Sequence, residues 1–162
     1  MDASRRPDGL DHPIVPKIMH LVSRMNVWVY RTTGGRLWSK WRIGSAFPRG
    51  IPTLLLTTTG RKTGQPRTTP LLYIEDGDAF VVVASQGGLP RNPQWLFNVR
   101  AQPSVLVQIG AKVQPMRARE ATPDERARLW PRLVAHYADF ATYQAWTERT
   151  IPVVLLEPNA QP

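Results

Sequence analysis

The apolar positions change their period along the chain, and each change predicts a different kind of element. Between residues 14 and 30, Ile14, Ile18, Leu21, Val22, Met25, Trp28 and Val29 recur at helical spacing with Lys17 and Arg24 between them, which predicts an amphipathic helix. Residues 33–50 lose that pattern at Gly34, Gly35, Gly44, Pro48 and Gly50, and read as an irregular basic loop. Runs rich in β-branched residues follow at 51–59, 68–75 and 79–85; Asp76-Gly77 between the second and third is a strong hairpin signal. Residues 92–101 predict a short helix stopped before Pro103, and 104–109 with 112–119 predict a hairpin around Gly110.

Thr122 caps a helix that opens with Pro123, Asp124 and Glu125, a start that suits both the helix dipole and the donor that proline lacks. That helix runs to about Tyr137, residues 142–149 add a further helical turn, and 153–157 form a closing strand. Antiparallel strands in succession, about six of them, argue against a parallel Rossmann sheet. They predict an α+β, mainly β, barrel with an N-terminal amphipathic helix and C-terminal helices.

A chain of 162 residues with 42% hydrophobic content can bury one continuous core, so a single domain is expected over residues 14–158. Residues 1–13 read as a flexible N-terminal segment and 159–162 as a tail. A shallow barrel of this size often completes itself by dimerising, which places a homodimer among the expected assemblies. There is no cysteine, so disulfides, iron–sulfur ligation and thiol nucleophiles are excluded. His12, His20 and His136 lack metal-ligand spacing, and no metal is expected. The N-terminal residues lack the apolar stretch of a secretory signal, and no apolar run approaches roughly 18 residues. A cytoplasmic protein is expected, with peripheral membrane contact through the N-terminal helix left open.

The net charge of +9 gains meaning from its distribution. No carboxylate occurs between Asp11 and Glu75, a stretch that holds Lys17, Arg24, Arg31, Arg36, Lys40, Arg42, Arg49, Arg61, Lys62 and Arg67. Such a segment attracts a phosphate, a polyanionic tail, nucleic acid or an anionic membrane face; the plain alternative is a solvated basic surface. Within it, residues 60–67 (Gly-Arg-Lys-Thr-Gly-Gln-Pro-Arg) place three cations, two glycines and a threonine between two strands, where amides and charged forks converge on one anion. The Walker spacing is absent, and a strand follows instead of a helix.

A second constellation runs through Ala84-Ser-Gln-Gly-Gly88 and Asn92-Pro-Gln-Trp95. The glycines allow a flat ring to approach the backbone, and Ser85 can donate to a ring carbonyl. No nucleophile elbow surrounds Ser85, and Trp95 is by default core packing.

These blocks, together with 54–67 as a whole, Trp146-Thr-Glu-Arg-Thr-Ile-Pro152 and the Met25-Asn-x-Trp-x-Tyr30 pattern, resemble the deazaflavin (coenzyme F420)-dependent nitroreductase and quinone reductase family over nearly the whole chain. The resemblance implies a split β-barrel related to FMN-binding oxidoreductases. It also implies coenzyme F420, an 8-hydroxy-5-deazaflavin with a phospholactyl-oligoglutamate tail, as cofactor in preference to FMN. It places Arg61, Lys62, Thr63 and Arg67 at the phosphate region, with Val83, Ala84, Ser85, Gln86, Gln94, Trp95 and Asn98 along the deazaflavin. On the acceptor side it places Trp28, Tyr137, Phe140 and Tyr143, with Ser85, Tyr137 and Tyr143 as the groups that orient or protonate.

Two positions depart from common family patterns: Phe140 stands where one pattern has tyrosine, and Gln86 where lysine is common. The implied activity is hydride transfer to a small quinone or nitro acceptor, without nucleic acid as a partner. A noncatalytic carrier of the deazaflavin, or of FMN, is the alternative.

Overall fold

The computed structural model describes Val27, Tyr30, Lys40–Trp41, Gly44–Ala46 and residues 50–159. Val27 and Tyr30 are helical, in line with the helix expected over 14–30. The rest of that helix, including Trp28, and the segment 1–13 lie outside the described residues.

The strands are β1 (Lys40–Trp41), β2 (Ile51–Thr59), β3 (Pro66–Asp76), β4 (Ala79–Val83), β5 (Ser104–Ile109), β6 (Lys112–Glu120) and β7 (Val153–Pro158). The helices are α1 (Gln94–Ala101), α2 (Pro123–His136) and α3 (Asp139–Ala145), with 3-10 turns at Gly44–Ala46 and Gln86–Gly88. All pairings are antiparallel, in the order β1-β2-β3-β4-β7-β6-β5, and β5 returns to β2 through Leu55↔Gln108, Leu56↔Val107 and Thr57↔Leu106. Strands β2 to β7 therefore close a six-stranded barrel, as expected, and closure removes the exposed edges that an open sheet would carry.

The period-2 alternation of the strands sorts their side chains into two cores. Leu54 and Leu56, Val82 and Ala84, Val105 and Val107, Met116 and Ala118, and Val154 and Leu156 fill the barrel, joined from its rim by Trp95, Leu96 and Val99 of α1. The alternate residues Val81, Val83, Val153 and Leu155 face outward and are covered by Leu129, Leu133, Tyr137 and Phe140. Strands β4 and β7 are thus buried on both faces, which is why they read as unbroken apolar runs. Helix α2 starts as its sequence predicts: Thr122 accepts from the Glu125 amide, and the Glu125 carboxylate accepts from the Thr122 amide.

Several boundaries differ from the sequence expectations. Strand β1 lies inside the stretch expected to be irregular and pairs with Ile51 and Pro52, the part of β2 that extends past the β3 register. Strand β3 begins at Pro66, because Pro66 and Arg67 pair with Thr59 and Thr58 and shorten the loop. Strand β4 ends at Val83, since Ser85 already starts the 3-10 turn in which Gln86 takes a positive φ of 47°. Helix α1 begins at Gln94, after Pro93. The last helix spans Asp139–Ala145 instead of 142–149: the chain from Trp146 onward turns away so that Arg149 reaches the carbonyls of residues 84–89.

Candidate active site

The loop after β2, the turn after β4 and the start of α1 meet at one rim of the barrel, and Asn98 of α1 ties the first of these to its helix. Asn98 is buried; its amide donates to Thr58 Oγ1 at 3.1 Å, and its Oδ1 accepts from the Arg61 amide at 3.2 Å. This side chain therefore sets where the loop leaves the strand. Within the loop the Gly60 amide donates to the Gln65 carbonyl at 2.8 Å, and the Gly64 amide to the Gly60 carbonyl at 2.7 Å. Gly64 holds a positive φ of 67°, a conformation glycine adopts without steric cost. Thr63 Oγ1 caps the Gln65 amide at 3.4 Å.

The three cations of the loop differ in their surroundings. Arg61 donates to Gln94 Oε1 at 3.0 Å and lies over the Phe97 ring, 5.0 Å from its centroid, so α1 fixes its direction. Lys62 and Arg67 are exposed, and among the described residues neither side chain makes an ion pair or hydrogen bond.

Beside this loop, residues 84–88 turn sharply. Ala84 is buried in the barrel core and Val83 in the outer core, while Ser85 and Gln86 are half-buried. Gly88, at φ 74°, is pressed against α3: a Cβ there would stand 2.8 Å from the Tyr143 carbonyl oxygen. Two polar atoms in this region, Gln86 Oε1 and Trp146 Nε1, are buried without a hydrogen-bond partner, an arrangement that costs about 1–3 kcal/mol per group unless a further molecule satisfies it.

Of the aromatic residues expected on the acceptor side, Tyr137, Phe140 and Tyr143 cluster on α3 and its approach. Tyr137 and Phe140 are buried and meet edge to face with centroids 5.0 Å apart. Tyr143, half-buried, brings its hydroxyl to 3.3 Å from that of Tyr137 and its ring to 5.8 Å from Trp146. Burial, reinforced by the charge of Asp139, holds the Tyr143 phenol above its ordinary range despite the opposing effect of the Tyr137 hydrogen bond. The phenol is consequently protonated throughout the neutral range.

Trp95 packs in the barrel core, as its default reading had it. Trp28 lies outside the described residues. The structure adds Arg149, which no local pattern marked: its guanidinium donates to the carbonyls of Ala84 (3.2 Å), Ser85 (2.8 Å) and Leu89 (3.0 Å) and to Asn92 Oδ1 (2.7 Å). Its only signal in the sequence is membership of the Trp146 to Pro152 block. A separate concavity of about 380 Å³, lined by Glu75, Asp78, Lys112 and Gln114 among others, opens at the opposite rim and shares no residue with this site.

The family model of the F420H(2)-dependent quinone reductases matches residues 22–158, which include every residue of this rim. The chain belongs to that family. A Mycobacterium tuberculosis protein of the same designation, Rv3178, is 50% identical over 118 residues, covering 73% of this chain and 99% of its own length. The F420H(2)-dependent quinone reductase Rv1261c of the same organism is 44% identical over 136 residues, covering 82% and 87% respectively.

Among solved structures, an F420-H2 dependent reductase (FDR-A) superposes with a TM-score of 0.61 at 46% identity over 65% of this chain and 94% of that one. A structure described as a domain-swapped dimer superposes with a TM-score of 0.63 at 37% identity over 88% and 99%. Family membership and the barrel agree: this is an F420H(2)-dependent quinone reductase fold with the split-barrel architecture.

Proposed function

We propose that this chain transfers a hydride from reduced coenzyme F420 to a quinone, with the cofactor lying along the rim formed by residues 60–67, 84–88 and the start of α1. One observation carries the placement. Lys62 and Arg67, two exposed cations without carboxylate partners among the described residues, stand at the same rim as Gln86 Oε1 and Trp146 Nε1, buried and without a partner among those residues. A ligand with an anionic tail and a flat, hydrogen-bonding ring fits both.

In this reading Lys62, Arg67 and the amides around Thr63 hold the tail phosphate, with Arg61 steered toward it by Gln94 and Phe97. Ser85 and Gln86 address the ring from the turn, where Gly87 leaves no side chain in the way and Gly88 makes room for α3. Asn98 acts one step removed, by fixing the loop.

The reduced deazaflavin supplies a hydride, and two-electron reduction of a quinone to the quinol needs one proton besides. Tyr143 holds that proton at its Oη, and Tyr137 Oη, 3.3 Å away, supports a relay behind it. Phe140 contributes an apolar wall that keeps water out and offers no second proton. A nitro group would likewise take one proton with each hydride, so the proton count does not choose between acceptors; membership of the quinone reductase family does, and the quinone is the acceptor we assign. A homodimer in the cytoplasm completes the proposal, supported by the relative described as a domain-swapped dimer.

Stopped-flow oxidation of the protein-bound reduced cofactor by menadione tests the reading: the visible absorbance of oxidised F420 should return within single turnovers. If quinones leave that absorbance unchanged while the cofactor stays bound, the carrier reading replaces this one.

A further inference from the structure

Arg149 and Gln144 tie together two parts of the rim that no strand or helix connects. The Arg149 guanidinium spans four acceptors in residues 84–92, three of them main-chain carbonyls, within 3.2 Å. Its own carbonyl accepts from Gln144 Nε2 at 2.8 Å, one residue beyond Tyr143 on α3. Gln144 is anchored in turn: its Oε1 accepts from the Ile151 amide at 2.9 Å and from Arg126 of α2 at 3.1 Å. Among the described residues Arg149 has no carboxylate partner. Burial disfavours its charge, yet the charge is retained on neutral acceptors alone. A planar fork with five donors can span such a set of acceptors, and a lysine ammonium cannot.

We propose that Arg149 is a positioning residue of the reductase reaction: by bridging the turn at residues 84–89 to the helix that carries Tyr143, it fixes the gap between the ring side and the acceptor side of the site. The inference rests on the placement given under Proposed function. The strained turn supports it, because Gln86 holds φ 47° and its neighbours Gly87 and Gly88 are also at positive φ. Internal hydrogen bonds of that turn are sparse: the Gly88 amide to Ser85 at 3.0 Å and the Leu89 amide to Gln86 at 3.3 Å. The Arg149 fork is therefore a main restraint on it.

Arg149→Lys is the decisive variant, with Asn92→Ala as a milder one that removes a single acceptor of the fork. Three readouts are taken well below each variant's Tm: hydrogen exchange of the Gly88 and Leu89 amides without cofactor, F420 affinity by fluorescence, and kcat against KM for menadione. Arg149→Lys should speed exchange at those two amides about tenfold or more, as loss of one or two net hydrogen bonds requires. It should also lower kcat by a larger factor than it raises the menadione KM. Asn92→Ala should move both in the same direction by less.

Wild-type exchange at Gly88 and Leu89 with unchanged kcat in Arg149→Lys overturns the proposal, whatever happens to Tm. A wild-type protein that binds no F420 instead overturns the functional placement, and the exchange result then decides the role of Arg149 in the turn on its own.

Discussion

Strand β3 has a turn at each end, and the two turns treat charge in opposite ways. At the far rim, Asp76 receives bidentate bonds from Arg128 at 2.9 and 2.7 Å and a further bond from Arg132, while Arg132 also donates to the Glu75 carbonyl at 2.8 Å. Both arginines belong to α2, so the acid pins that helix to the barrel. At the near rim, Lys62 and Arg67 face solvent with no counter-charge among the described residues, and the loop is held by Asn98 and its own amides. Neutralised charge serves the fold; charge left without a partner is free to meet a ligand. Arginines are present at both rims, but at the far one they meet the carboxylate of Asp76.

The sharpest way to break this comparison is to remove the free cations. Lys62→Ala with Arg67→Ala should weaken F420 binding about a hundredfold or more, since two charge-assisted bonds worth roughly 1.5–3 kcal/mol each are lost. The salt dependence of binding should flatten as well, and Tm should hardly change. Fluorescence titration at several ionic strengths measures this. A fallen Tm with intact affinity would invert the assignment of the two turns.

Asp76→Asn should do the reverse, lowering Tm while leaving F420 affinity within error. Its pH signature follows from the same bonds. Hydrogen bonds from Arg128 and Arg132 hold the Asp76 carboxyl well below the carboxylate range. The Arg119 bond likewise holds Glu125 down to about 2. Because both are depressed in the folded chain, their stabilisation is complete above the unfolded value, near pH 4, and is lost as pH falls below it. Thermal melts across that window should show Tm falling with acid, less steeply in Asp76→Asn than in the wild type.

A smaller effect is expected where the near rim meets the acceptor. Tyr143→Phe removes the proposed proton donor and its bond to Tyr137, which should slow reduced-cofactor oxidation about a hundredfold, the low end for loss of a general acid. Cofactor affinity should move less than turnover. Equal losses in binding and turnover would shift Tyr143 from the acceptor to the cofactor side.

Much of the fold is local in origin and was legible. Thr122 to Glu125 announces its helix because both halves of the capping box lie within one turn, and Asp76-Gly77 announces its hairpin because the bend needs those residue types. The alternation in β5 and β6 and the doubled apolar runs of β4 and β7 record which faces are covered. The cationic loop, the glycine turn and the family pattern they form are contiguous blocks, so the chemistry they point to could be named before any coordinates.

Other features needed three dimensions. That Asn98 joins Thr58 to Arg61, that Asp76 takes up Arg128 and Arg132, and that Lys62 and Arg67 have no partner among the described residues depend on which surfaces closure of the barrel brings together. The last helix ends at Ala145 because Arg149 is drawn to carbonyls some sixty residues earlier, a gain that local propensity does not encode. Short-range rules fix elements whose partners lie within a turn or a hairpin. Which charges are neutralised, and which stay available, is decided by neighbours that only the folded chain supplies.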